Sequence, residues 1–265
     1  MNSMKKNCKE SSTGRQITKW YKTKGRNNLP WRENITPYRV WISEIMLQQT
    51  QAKTVVNYFE KFISYYPTFE DFKSASEEDV LSLWKGLGFY RRARNLYRAK
   101  EIILKKFNGK LPNSFKNLIT LPGIGKSTAG AILSIAYKLP YPILDANVKR
   151  VLTRLFFKTN SNEKELWDLS SQILDKKNVD DFQQGIMDLG ATVCTPKNAL
   201  CGECPLNKQC ISFSKGELPT ANVKKINKKN VYLEFEIYEK NQKIFLVKNN
   251  QLGFWDGLWL SLIHI

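Results

Sequence analysis

Leu121-Pro122-Gly123-Ile124-Gly125-Lys126-Ser127-Thr128-Ala129 is a tight, glycine-rich turn that runs into a helix. Gly123 and Gly125 carry no Cβ, so their amides can come close to a bulky anion. The helix that follows offers unpaired N–H groups and the positive end of its dipole. That pairing suits a phosphate, and it suits an ordinary corner between two helices equally well. These nine residues leave both readings open.

Outward from this turn the helical pattern continues. From residue 15 to about 215, Leu, Ile and aromatic residues recur at spacings of three and four, with little alternation. Breaks fall at Leu29-Pro30, Tyr66-Pro67, Gly86-Leu87-Gly88, Leu111-Pro112, Leu121-Pro122-Gly123 and Pro140-Tyr141-Pro142. Many helices of ordinary length are predicted, without an internal repeat. After Phe213 the composition shifts. Residues 216–230 are rich in Lys and Asn and read as a solvated linker. Val231, Leu233, Phe235 and Ile237 then alternate with polar or amphipathic residues, as in a half-buried strand, and Lys243 to Lys248 reads as its hairpin partner. Two strands alone are marginal in water, so residues 231–265 look like a domain cut short.

Charge points to the class of partner. Of 265 residues, 42 are Lys or Arg and 24 are Asp or Glu, for a net charge of +18. Such an excess favours a polyanion, most often nucleic acid. The hydrophobic fraction of 42% argues for a folded chain. No apolar run is long enough to span a membrane. Met1 to Arg15 lacks the apolar stretch of a secretory signal, and a cytoplasmic, nucleoid-associated location is expected. The sole histidine is His264, so acid–base chemistry falls to carboxylates, Lys, Tyr or Cys.

Cys194, Cys201, Cys204 and Cys210 form C-x6-C-x2-C-x5-C. Thiolates so close in sequence can converge on one soft metal centre. A zinc ribbon brings two CxxC pairs and here there is one, so a [4Fe–4S] cluster held by four thiolates fits better. Cys8 stands apart as a spare thiol. Val40 to Tyr66 is strongly helical and places Glu44 and Gln48 on one face. Asp145 precedes a second helix, Val148 to Phe157. Taken singly, Asp145 reads as a helix N-cap and Glu44 as a surface carboxylate. Arg91, Arg92, Arg94 and Arg98 follow the turn Gly86-Leu87-Gly88-Phe89-Tyr90. Cations beside aromatics on a turn suit a wedge driven into a base stack, or a solvated helix face behind a packed turn.

Together these segments resemble the helix-hairpin-helix superfamily of DNA glycosylases with a Gly/Pro loop and a catalytic Asp, and within it the adenine DNA glycosylases. The resemblance rests on Leu29-Pro30-Trp31-Arg32, on Val40 through Gln51, on Gly86 through Tyr90, on the hairpin, on Leu144 through Val148 and on the four cysteines. It implies a mainly α, two-module fold over residues 1–215. A six-helix barrel would span about 30–140, and a cluster module would join the N-terminal helix to about 141–215, with the active site in the cleft between. It implies that Glu44 protonates adenine, that Asp145 stabilises the cationic sugar, and that Asn147 assists. DNA contacts are implied at Arg26, Leu29, Trp31, Gln48, Gln49, Leu87, Phe89, Tyr90, Gly123, Gly125 and Ser127. The substrate implied is double-stranded DNA with adenine opposite 8-oxoguanine or guanine, met by a monomer. Residues 231–265 resemble the opening of the family's Nudix-like domain, although the last five residues do not match.

Phe89 and Ala146 stand where this branch usually has Tyr and Gly. One rival is an endonuclease III-like pyrimidine glycosylase and lyase. It needs a nucleophilic Lys where this chain has Ser127, and Lys126 is one residue out of register. The other rival is a non-catalytic DNA-binding module, against which the pair Glu44 and Asp145 argues.

Overall fold

The computed structural model describes residues 2–159, 161–219, 230, 232–249 and 259–264, with the backbone alone for 2–11 and 262–264. Cys8 and Val231 therefore lie outside the described side chains. The chain divides into two compact units, 1–222 and 223–265.

The first unit is helical. Its longer helices are α1 (Asn2–Lys24), α2 (Pro37–Leu47), α3 (Ala52–Tyr65), α6 (Arg91–Phe107), α9 (Ala146–Leu155), α10 (Glu163–Gln172) and α11 (Val179–Asp188). Between them lie the shorter α4 (Phe69–Phe72), α5 (Glu77–Leu83), α7 (Phe115–Leu118) and α8 (Lys126–Ala131), with α12 (Ile211–Lys215) at the end. No helix among the described residues is long and apolar enough to cross a membrane.

Helix α2 is central because its sequence leaves almost no polar face. Val40, Trp41, Ile42, Ser43, Ile45 and Met46 are all buried. Thr36 caps it by accepting from Arg39 N at 3.2 Å, and Pro37 supplies the fixed φ of a first turn. Its Trp41 meets an aromatic layer of Phe62, Phe69 and Phe72 in tilted and edge-on pairs. Each fully buried ring or branched chain contributes about 1.5–3 kcal/mol, so this helix is held rigidly. α1 packs along α11 and α10, which joins the N-terminus to the C-terminal half of the unit.

Helix α8 widens into a π-helical turn at Ile132–Ala136. Gly130 has a specific duty here. A Cβ at this position would fall 2.3 Å from the Pro142 carbonyl oxygen. Only glycine lets the segment before α9 lie flat on α8, and that segment ends in Asp145.

The second unit contains three separate two-stranded antiparallel ladders. β1 (Glu234–Glu236) pairs with β6 (Leu262–His264), β2 (Glu239–Lys240) with β3 (Lys243–Ile244), and β4 (Val247–Lys248) with β5 (Trp259–Leu260). Thus Lys243 to Lys248 is not the partner of the first strand. It splits between a tight hairpin and a second ladder. Asn241 and Gln242 make the hairpin turn with φ of 52° and 61°, the left-handed pair that matches strand twist. Phe235 and Ile237 are exposed rather than half-buried. Burial of one face requires a second layer, and among the described residues each ladder is a lone ribbon.

Candidate active site

Glu44 is carried on the largely buried α2, and Asp145 caps α9. Glu44 is half-buried, not a surface carboxylate. Burial pushes its pKa up to about 8; the Asp145 charge adds to this and Arg32 opposes it. Asp145 is the N-cap that its sequence suggests, accepting from Val148 N at 2.7 Å through Oδ1. Burial raises its pKa too, and the amide hydrogen bonds from Val148 and Asn147 and the Arg150 charge offset that rise only in part. The two carboxyls are thus both raised by burial but differ in their hydrogen-bond partners. Glu44 keeps its proton near neutrality, and Asp145 differs from it in having donors that favour its charged form against the burial.

Asp188, fully buried, governs how strongly Arg32 acts on Glu44. Its Oδ2 and Oδ1 accept from Arg32 Nη1 at 2.7 Å and Nη2 at 2.9 Å. They also accept from Arg26 N at 2.9 Å and from its Nε and Nη2 at 2.9 and 2.5 Å. Burial would raise the Asp188 pKa, but hydrogen bonds and charge from Arg32 and then Arg26 outweigh it and hold the carboxyl below its usual range. With this partner Arg32 counters the burial of Glu44 only in part. Arg26, implied as a DNA contact, spends its guanidinium on Asp188.

The hairpin joins these elements. Gly123 takes φ of +82° at the turn, where an L side chain would be strained. A Cβ on Gly125 would meet nothing within 4 Å, so the protein itself does not require glycine there and space stays open beside the α8 N-terminus. Ser127 Oγ accepts from Leu144 N at 2.9 Å and ties α8 to the residue before Asp145. Gln48 Nε2 donates to Gly123 O at 3.0 Å and Thr128 Oγ1 at 3.2 Å, so its amide N–H groups serve the hairpin.

The remaining implied DNA contacts fall into two groups. Trp31 is 7% exposed and packs edge-on to Phe59 with centroids 5.6 Å apart, and Leu87 is 5% exposed. Both belong to the core, and Leu29 packs against it. Phe89, by contrast, is 57% exposed with φ of +50°, at the tip of a loop bent by Gly86 and Gly88. Gln49 is likewise exposed, with φ of +58°. Tyr90 is half-buried and its hydroxyl accepts from Gly86 N at 3.3 Å. Of the four arginines after this loop, Arg91 and Arg98 are exposed, Arg94 lies 3.6 Å from Glu77, and Arg92 is buried.

Cys194, Cys201, Cys204 and Cys210 line one small cavity of about 30 Å³ together with Arg154, Asn207 and Phe213. Burial pushes the Cys204 thiol up to about 11 and raises that of Cys210. Among the described residues no three His, Cys, Asp or Glu close on a single metal ion. The thiols instead ring the cavity wall. Arg154 Nη1 lies 3.5 Å from Cys194 Sγ and 2.7 Å from Thr195 O. Arg150 reaches Cys194 O at 2.7 Å, Gly190 O at 2.5 Å and Asn147 Oδ1 at 2.8 Å. One helix thus caps itself with Asp145 and grips the cysteine loop five and nine residues later. Sequence reasoning passed over Arg150 and Arg154, though their i, i+4 spacing behind the Asp was a usable signal.

This chain belongs to the HhH-GPD superfamily of base excision DNA repair proteins, which it matches over residues 42–175. Among solved structures, a thermostable thymine-DNA glycosylase superposes with a TM-score of 0.72 at 30% identity, covering 81% of this chain and all of that one. An endonuclease III bound to DNA shares the fold with a TM-score of 0.67 at 22% identity, over 79% of this chain and 97% of that one. By sequence the chain is similar to adenine DNA glycosylases. The protein of that name from Buchnera aphidicola subsp. Schizaphis graminum is 43% identical over 252 residues, 92% of this chain and 72% of the relative. The human one is 40% identical over 208 residues, 73% of this chain and 38% of the relative. The chain is accordingly a DNA glycosylase, an enzyme acting on N-glycosyl bonds.

Proposed function

We propose that this chain removes adenine mispaired with 8-oxoguanine or guanine in duplex DNA, as a monofunctional glycosylase. The observation that carries the proposal is the unequal carboxyl pair. Burial and the Asp145 charge raise the Glu44 pKa to about 8, so Glu44 keeps its proton near neutral pH, while Asp145, also raised by burial, is the one of the two whose carboxyl accepts cap hydrogen bonds that favour its charged form. A base inside a duplex must first be extruded. Glu44 then gives its proton to the departing adenine, and the C–N electron pair leaves with the base. The sugar becomes oxocarbenium-like, and the Asp145 carboxylate stabilises that positive charge until water adds. Asn147, fixed by Arg150, keeps Asp145 oriented.

The open space at Gly125 and the α8 N-terminus is the proposed phosphate seat. Phe89 and Gln49 are the proposed groups that enter the duplex. Ser127 has no amine for an imine with the sugar, which supports hydrolysis without strand cleavage. The four cysteines fit a [4Fe–4S] group: all lie on one cavity, and the set is purely thiolate. They would hold it through their sulfurs, and when bound it would supply a thiolate-bridged anchor for residues 194–210. Residues 231–265 are proposed as the opening of a Nudix-like domain. The test is single-turnover excision from duplexes carrying adenine opposite 8-oxoguanine, adenine opposite guanine, or thymine opposite guanine. Release of adenine from the first two, with none after Glu44→Gln, supports the reading; release of thymine alone refutes it.

A further inference from the structure

Arg92 is the second residue of α6, yet its side chain points inward and is 8% exposed. A buried guanidinium is ordinarily met by a carboxylate. Here it is met by main-chain and hydroxyl oxygens. Nη1 donates to Ile45 O at 3.2 Å, to Met46 O at 2.6 Å and to Gln48 O. Nη2 donates to Thr50 Oγ1 at 3.0 Å and to Gly88 O at 3.2 Å. The first three carbonyls sit at the C-terminal end of α2, where four carbonyls lack helix partners and the dipole is negative. Gly88 O lies on the other loop, next to Phe89. The guanidinium carbon is 5.2 Å from the Phe89 ring centroid and 5.6 Å from that of Trp84. Trp84 Nε1 also donates to Gly88 O, at 3.1 Å.

One side chain thus bridges the turn that presents Gln49 and the loop that presents Phe89. Both tip residues hold positive φ without being glycine, a conformation that persists only where surroundings impose it. Burial lowers the Arg92 pKa to about 10, so it stays charged at neutral pH. Five bonds from two fixed nitrogens demand the planar fork of Arg; a lysine ammonium has three donors at one point.

We propose that Arg92 is a positioning residue that sets the Gln49 turn and the Phe89 loop in register, so that both enter the duplex as one unit when adenine is extruded. This rests on the reading that the face bearing these two residues meets duplex DNA. A purely structural Arg92 would affect every substrate alike. A positioning Arg92 acts on extrusion and spares an adenine that is already unstacked.

The test compares single-turnover rates on adenine paired with 8-oxoguanine and on the same adenine placed opposite an abasic gap. Arg92→Met should lose about tenfold to a hundredfold on the paired substrate, the scale of an ångström-size misplacement, and much less on the unpaired one. Arg92→Lys should not restore the paired rate. Arg92→Met combined with Phe89→Ala should be no slower on the paired duplex than the slower single variant, because both remove one device. Should Arg92→Met fail to fold, Thr50→Val removes one acceptor on the Gln49 side and carries the same substrate comparison. Equal losses on both substrates, rescue by Lys, or multiplying losses in the double variant would overturn the inference while leaving the glycosylase reading in place. A wild-type chain that releases adenine from neither substrate would overturn both.

Discussion

Glu44→Gln should make the protein more stable while abolishing excision. The carboxyl ordinarily titrates near 4.5 and is raised to about 8 in the fold. At pH 7 the unfolded chain ionises it and the folded chain keeps it neutral. Folding must therefore take up a proton across about 2.5 pH units, which costs on the order of 3 kcal/mol at about 1.4 kcal/mol per unit. This is an upper figure, because Glu44 is only half-buried. A raised folded pKa means stability that is complete below pH 4.5 and is lost progressively as pH rises through about 8. Glutamine has the same shape and no charge to neutralise. Thermal unfolding of the two chains, matched for iron content, should therefore coincide near pH 4. By pH 7 the Gln variant should melt higher by roughly 6–12 °C, taking about 2–4 °C per kcal/mol for a chain of this size. An unchanged Tm difference between pH 4 and pH 7 would refute the reasoning. So would a Gln variant that is less stable at pH 7, since that would mean Glu44 is ionised and favourably paired.

The excision rate of the wild-type chain should hold at neutral pH and fall as pH rises through about 8, since the proton donor is then lost; a flat profile from pH 6 to 9.5 would remove Glu44 as the acid. Asp188→Asn should move that fall to lower pH, because Arg32, freed of its partner, would favour ionised Glu44 more strongly, and should cost about 3–5 kcal/mol of stability as a broken buried pair. The protein purified without oxygen should contain about four irons and be brown, and Cys204→Ser should lose most of both; stoichiometric zinc without iron would show the cysteine site to be something else. Borohydride should trap no covalent adduct between the wild-type chain and abasic DNA, whereas trapping would mean an amine such as exposed Lys126 reaches the sugar.

Much of this protein is written locally. The apolar run of α2, the Gly-rich turn at 121–129, the cap at Asp145 and the cysteine spacing depend on neighbours a few residues apart, and each could be read without a fold. Their combination also identified the family. The β segment shows where local reading stops: alternation over 231–237 indicated a strand, but the partner of β1 lies at 262–264, and no local pattern marks a pairing across that distance. The chemistry of the site is equally non-local. Glu44 in sequence is one carboxylate between Ser43 and Ile45. Its raised pKa depends on burial in a packed helix and on Asp145, about a hundred residues away. Trp31 and Leu87 look like DNA-facing residues in their motifs, and packing puts them in the core. Arg92 looks like a phosphate-binding cation in a basic run, and it is buried on carbonyls from two other elements. Pattern along the chain determines which elements form, because hydrogen bonds and caps are local. Protonation, exposure and which side chains meet depend on desolvation and long-range contact, and those exist only once the helices have packed.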